Sequence, residues 1–152
     1  MKEKHLTLCI MYREDQVLLG FKKRGFGKNR WNGFGGKVEP GETVKQAAQR
    51  EVEEEIKVVP QLMKERGILK FTFEGEDEVL IGHLFSAYSF VGSPQETEEM
   101  RPQWFDRTEI PYDEMWPDDR FWLPQFLSGK SVNGEFHFKD HNTIISQKLS
   151  FL

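Results

Sequence analysis

The chain has 152 residues, 30% of them charged and 13% aromatic, and a net charge of −4. That length suits a single domain, residues 1–152, with a sizeable core, and the composition excludes disorder. An acidic balance also excludes a duplex-binding surface, which needs a basic excess. A local cluster of Lys and Arg around one small phosphorylated ligand remains open.

From the N-terminus, Leu6 to Tyr12 and Gln16 to Phe21 are apolar runs joined by Arg13-Glu14-Asp15, and they read as two strands with a tight connection. Cys9, the one cysteine, sits in the first of them. It can form no internal disulfide and is expected as a small core residue; the count fits a reducing compartment. Gly25 to Gly36 is rich in glycine and aromatics and reads as loop with short extended pieces. Thr43 to Ile56 is helical, with Val44, Ala48, Val52 and Ile56 as a core-facing stripe.

Further along, Leu69, Phe71 and Phe73 alternate as in a half-buried strand, and Val79 to Phe90 is a longer apolar strand ended by Gly92-Ser93-Pro94. Gln103 to Phe105 reads as a short strand. Asp119 to Leu127 reads as a second helix, kinked or kept short by Pro124. Val132, Phe136 and Phe138 share one parity, and with Thr143 to Leu149 they predict a hairpin across Lys139 to Asn142. The sum is a mixed sheet flanked by two helices. The N-terminus is too polar for a signal peptide, and nothing approaches the ~20 apolar residues of a membrane span. We therefore expect a soluble, monomeric protein of the cell interior, cytoplasmic or also nuclear or mitochondrial, with neither membrane nor nucleic-acid polymer as partner.

The chemistry concentrates between Gly36 and Val58. There Gly36, Glu42 and Arg50 precede Glu51, Glu54 and Glu55. At 3.6 residues per turn, Glu51, Glu54 and Glu55 fall on one arc of the helix, while Glu53 points to the far side, toward water. Like charges on one arc repel, and a hard divalent cation such as Mg²⁺ relieves that repulsion while binding substrate phosphates. A solvated acidic helix face is the plain alternative; the glycine, the first glutamate and the arginine at their spacing argue against it.

This run resembles the Nudix box, the signature of hydrolases that cleave nucleoside diphosphates linked to another group. One position departs: Lys57 stands where the family has glycine. A left-handed lysine there costs about 1–2 kcal/mol, unless the helix ends otherwise ahead of Pro60. The resemblance implies an α/β/α sandwich and a metal held by Glu51, Glu54, Glu55 and the backbone carbonyl of Gly35 or Gly36. Mn²⁺ could replace Mg²⁺. Glu55 or a more distant glutamate would orient the attacking water. Arg50 is expected to grip a box glutamate in its fork, and Glu42 to act as a brace near the helix start.

Lys22 to Gly27, Arg30 to Lys37 and Met115 to Asp119 resemble one subfamily, the animal MutT-homologue type of oxidised purine nucleoside triphosphatase. By that resemblance Thr7, Lys22, Phe26, Asn32, Phe34, Gly35, Gly36, Lys37, Phe71, Leu80, Trp116, Pro117, Asp118 and Asp119 line the nucleotide site, and Glu99 is a further metal position. The family has methionine where Leu80 lies. The residues themselves give a reason. Trp116 offers a flat face for a base. Asn32 carries both a donor and an acceptor. Enclosed by Phe26, Phe71 and Trp116, Asp118 and Asp119 would have at least one pKa raised and could share a proton. The plainer readings are a core tryptophan for Trp116 and a helix N-cap for Asp118. His5, His83, His137 and His141 show no ligand spacing. The implied activity is hydrolysis of oxidised purine nucleoside triphosphates to monophosphate and pyrophosphate. The alternatives are a Nudix hydrolase for ADP-ribose or a cap-like dinucleotide, and a nucleotide-binding module with little turnover.

Overall fold

The computed structural model describes residues 1–152. In chain order the elements are β1 (Lys2–Tyr12), β2 (Gln16–Lys22), β3 (Trp31–Asn32), α1 (Val44–Ile56), β4 (Val59–Phe73), β5 (Glu78–Val91), β6 (Met100–Asp106), α2 (Asp119–Leu127), β7 (Val132–Asp140) and β8 (Thr143–Phe151). One sheet holds all the strands in the order β3-β2-β1-β5-β4-β7-β8, with β6 on β2. It is mixed: β1 runs parallel to β5 and β4 to β7, and the remaining pairs are antiparallel.

Strand parity divides the apolar residues between two cores. On one face Ile10, Leu69, Leu84, Phe136 and Phe138 pack with Trp122, Leu123 and Phe126 of α2. On the other, Cys9, Met11, Phe34 and Phe85 pack with Ala48, Val52 and Ile56 of α1. The expected stripe of α1 thus faces the sheet, and the expected α/β/α sandwich is the architecture found. No helix is long and apolar enough to cross a membrane.

The ends of α1 are set locally. Thr43 caps it, its side chain accepting from the Gln46 N–H at 3.1 Å while Gln46 Oε1 accepts from the Thr43 N–H at 2.8 Å. At the other end Lys57 adopts φ 63°, ψ 32°, and its N–H reaches the Glu53 carbonyl at 3.0 Å. The left-handed ending is kept although no glycine supplies it. α2 is the short nine-residue helix that Pro124 suggested.

Two strands run further than their sequences announce. β4 begins at Val59, ten residues before Leu69. Its first half pairs only with β5, so Pro60 needs no second hydrogen-bonded neighbour. Leu62 (φ 54°) and a register shift between Glu65 and Gly67 break the alternation there. β6 spans Met100–Asp106 and carries Pro102, which an edge strand tolerates. The bulge in β4 drives Arg66 inward. Its guanidinium donates to Tyr12 Oη at 2.9 Å and to the carbonyls of Phe126 and Lys130 at 2.5 and 2.6 Å, closing the C-terminal end of α2.

Candidate active site

The box helix delivers its carboxylates to three different environments. Glu55 is 1% exposed, and its Oε1 accepts from the Gly35 N–H at 2.8 Å. Burial pushes its pKa up to about 8, against the pull of Lys22 and of that hydrogen bond; Glu51 and Glu99 push it the same way as burial. Glu51 is partly buried and also raised, chiefly by burial, with Arg50 opposing. Glu54 is the exposed carboxylate of the run, while Glu53 is half-buried.

Arg50 braces this group as its forked geometry suggests. It bonds Glu42 at 2.7 and 3.1 Å, Glu51 at 2.9 Å and Glu54 at 3.3 Å, and it donates to the Lys37 carbonyl at 3.0 Å. Glu42 is held below the usual carboxylate range by Arg50. Glu99 lies across the site on the segment before β6, 3.3 Å from Arg24. As they stand, no three His, Cys, Asp or Glu side chains converge on one point.

Glycine matters where the box loop meets β1 and α1. A Cβ on Gly35 would collide with the Thr7 carbonyl, and one on Gly36 would lie 2.5 Å from the Glu51 carboxyl carbon. The loop can therefore run against both, with the Thr7 and Gly36 backbones bonded at 2.8 Å.

On the α2 side of the sheet lies a cavity of about 580 Å³. Of the residues expected at the nucleotide site, Thr7, Lys22, Phe26, Asn32, Gly35, Gly36 and Lys37 border it from the N-terminal third. Phe71, Leu80, Trp116, Asp118 and Asp119 border it from the remainder. Glu55 reaches the same cavity and joins it to the box helix. Glu51, Glu54 and Glu99 lie outside its lining.

Two expected residues are elsewhere. Phe34 is fully buried in the core beneath α1. Its exchange of backbone hydrogen bonds with Cys9, at 2.6 and 3.0 Å, turns its ring to the α1 face along with that residue. Pro117 borders a separate shallow depression with Arg30, Tyr112 and Arg120.

Asp118 and Asp119 are 3% and 4% exposed. Asp118 precedes α2 but makes no capping bond: its backbone is already helical (φ −75°, ψ −25°), and its Oδ2 accepts instead from Trp122 Nε1 at 2.9 Å. Asp119 Oδ2 is buried with no partner. Burial raises both pKa values, and the neighbouring Asp118 charge raises Asp119 further; Arg30 pulls both the other way. A proton held by either member of the pair would leave a donor and an acceptor side by side.

Trp116 is both a core residue and a wall of the cavity. It is 9% exposed; Phe26 stacks on it at 4.9 Å and 23°, and the Arg30 guanidinium lies 4.3 Å from its ring centroid. Arg30 also donates to the His141 carbonyl and Asn142 Oδ1 at 2.8 and 2.6 Å, tying the β7–β8 turn to this wall. Phe73, Phe138 and His141 complete it, with ring centroids 6.5, 6.2 and 5.2 Å from Trp116. Sequence reading missed these three as cavity residues, together with Leu6, Leu8, Gly82 and Leu84. Alternation puts several of them on one face, but periodicity does not say which face is hollow.

The NUDIX domain family matches residues 4–126, and the chain belongs to the Nudix family. It is 48% identical over 146 residues to an oxidized purine nucleoside triphosphate hydrolase of Danio rerio, covering 96% of this chain and 94% of that one. A Mus musculus protein of the same description is 47% identical over 143 residues, covering 94% and 92%. Among solved structures, a mutator MutT protein from Bacillus halodurans aligns with a TM-score of 0.85 at 25% identity over 97% of both chains.

Nudix hydrolases need a divalent metal ion. The donors here are the right kind. They are carboxylate oxygens of one charge sign, mutually repelling, and the Glu51 carboxylate sits in the space that a Cβ on Gly36 would fill.

Proposed function

We propose that this protein is a Mg²⁺-dependent pyrophosphohydrolase of oxidised purine (deoxy)nucleoside triphosphates such as 8-oxo-dGTP and 2-hydroxy-dATP. It yields the monophosphate and pyrophosphate and so clears damaged precursors from the nucleotide pool. The observation that carries this reading is the buried Asp118–Asp119 pair in an aromatic cavity that also reaches Glu55. The two relatives near 48% identity, each described as an oxidized purine nucleoside triphosphate hydrolase, support it.

In this reading Glu51, Glu54, Glu55, Glu99 and the Gly35 carbonyl hold Mg²⁺, with Mn²⁺ as a substitute. When bound, the cation neutralises phosphate charge and acidifies water. Arg50 keeps Glu51 and Glu54 on the substrate side of α1. Glu55, whose burial raises its basicity, accepts a proton from the attacking water. Lys22 and Lys37 balance phosphate charge at the rim. Asn32 and the Asp pair read the edge of the base. The shared proton lets Asp118 and Asp119 present a donor to one oxidised base and an acceptor to another. Phe26, Phe71 and Trp116 supply stacking surface, and Leu80 fills the floor.

Product analysis tests the activity. Purified protein with Mg²⁺ is given 8-oxo-dGTP, 2-hydroxy-dATP, dGTP and ADP-ribose separately, and kcat/KM is compared. The expected result is monophosphate plus pyrophosphate, with an oxidised purine well ahead of dGTP. Turnover of ADP-ribose alone would remove the base-recognition argument and keep the metal chemistry.

A further inference from the structure

Three buried side-chain atoms have no hydrogen-bond partner: Arg30 Nη1, Ser86 Oγ and Asp119 Oδ2. The first and the last, opposite in charge, belong to one corner of the fold. The Arg30 guanidinium lies 4.3 Å from the Trp116 ring centroid, and the Trp116 carbonyl accepts from the Asp119 N–H at 3.1 Å. Arg30 also borders the shallow depression lined by Met115 and Pro117, and not the base cavity itself. It therefore packs behind the turn that carries the Asp pair, where it touches no substrate.

A guanidinium is charged at every working pH. Yet Arg30 takes part in none of the ion pairs of the molecule. Its Nη2 donates to neutral oxygens only, the His141 carbonyl and Asn142 Oδ1. That charge pulls on both Asp118 and Asp119, against the burial that favours a proton on each. The other groups near the pair are differently engaged. Arg120, next on α2, is exposed and held by Asp113 at 2.7 Å. Tyr112 faces Asp119 with a hydroxyl kept neutral by burial, its pKa pushed up to about 12. His141 sits on the far side of the wall, 5.2 Å from Trp116 between ring centroids.

We propose that Arg30 is a positioning residue for base recognition: from behind Trp116 its charge keeps one carboxylate of the Asp118–Asp119 pair ionised. This rests on the base-pocket reading above. The edge of 8-oxoguanine sets an acceptor oxygen beside two N–H donors, and it is matched by one protonated and one ionised carboxyl. Without the cation both carboxyls keep their protons to higher pH, and the acceptor is lost.

The test is the pH dependence of 8-oxo-dGMP binding, by calorimetry without added metal, between pH 5 and pH 9. The proteins are the unmodified chain, Arg30→Met and Arg30→Lys. Methionine keeps an apolar stem on Trp116 and removes the charge, and lysine restores the charge. Thermal melts establish that each variant is folded, and the ligand phosphate titrates alike in all three. The expected result is that the acid-side fall in affinity moves up by about one pH unit in Arg30→Met and returns most of the way in Arg30→Lys. A structural role alone would lower affinity by one factor at every pH. That outcome, an acid limb unmoved in Arg30→Met, or one moved as far by lysine as by methionine, overturns the proposal. Should Arg30→Met not fold, Arg30→Gln takes its place with the same reading. If the unmodified protein does not bind 8-oxo-dGMP, or Asp118→Asn and Asp119→Asn bind it as before, the base-pocket reading itself fails and this proposal with it.

Discussion

Glu55 is a carboxylate whose neutral form the fold prefers, because burial raises its pKa to about 8 from 4.5. The folded state thus binds a proton more tightly than the unfolded chain. Stability from this group is complete below pH 4.5 and is lost as pH rises through about 8. In metal-free protein, Glu55→Gln should flatten the fall in Tm across that window, which melts at intervals of one pH unit would reveal. The same substitution should lower kcat by about 10²–10⁴-fold while nucleotide affinity changes little, as expected for loss of a general base. A pure binding module would keep whatever slight turnover it had. Asp118 and Asp119 are likewise raised by burial, and the pair is read as the base-recognition group. Asp118→Asn and Asp119→Asn should each weaken 8-oxo-dGMP binding by about tenfold, the scale of one charged hydrogen bond, and leave the Mg²⁺ affinity intact. Calorimetric titrations of nucleotide and of metal separate the two effects. If both variants bind the base as before, the pair has another task.

Among the elements, α1 has one favourable and one costly end. Its capping box is worth about 1 kcal/mol, so Thr43→Ala should lower Tm by about 2–4 °C. Lys57 holds a left-handed conformation (φ 63°) that a β-carbon disfavours. Lys57→Gly should stabilise the protein by about 1 kcal/mol, raising Tm by a similar amount, with kcat unchanged because no carboxylate moves. A destabilised Lys57→Gly variant would mean that the lysine side chain contributes something the backbone argument omits. The apolar stripe of α1 involves residues within one or two turns of each other, so the span of this helix was legible in sequence almost to the residue; its capping box and its left-handed ending came from the structure. β4 was not. Its first half has a strand partner on one side only, its polar side chains face water, and Leu62 and the bulge at Arg66 interrupt the alternation.

For the whole molecule, the two functional regions are carried on opposite faces of one sheet, α1 on one and α2 on the other. The cavity joins them at Glu55. Metal binding should therefore act on global stability through carboxylates that must lose protons to ligate. Adding Mg²⁺ at 100 times the Kd it has at pH 8 should stabilise by about 2.7 kcal/mol at that pH, and the same concentration is used at pH 5. The rise in Tm should be larger at pH 8 than at pH 5, where Glu55 stays protonated. Equal shifts at the two pH values would exclude Glu55 from the metal site.

The box, its brace Arg50, the span of α1 and the tryptophan–aspartate element were determined by the sequence alone, because each is a matter of spacing along a short stretch of chain. Only the tertiary structure decided which side chains share a space. It turned Phe34 away from the cavity through its pairing with Cys9, and it gave Asp118 a bond to Trp122 where a helix cap was open to it. It also brought Phe73, Phe138 and His141 around Trp116. Burial and enclosure come from residues far apart in the chain packing on the two faces of a sheet, and no local pattern encodes which of those faces is left hollow.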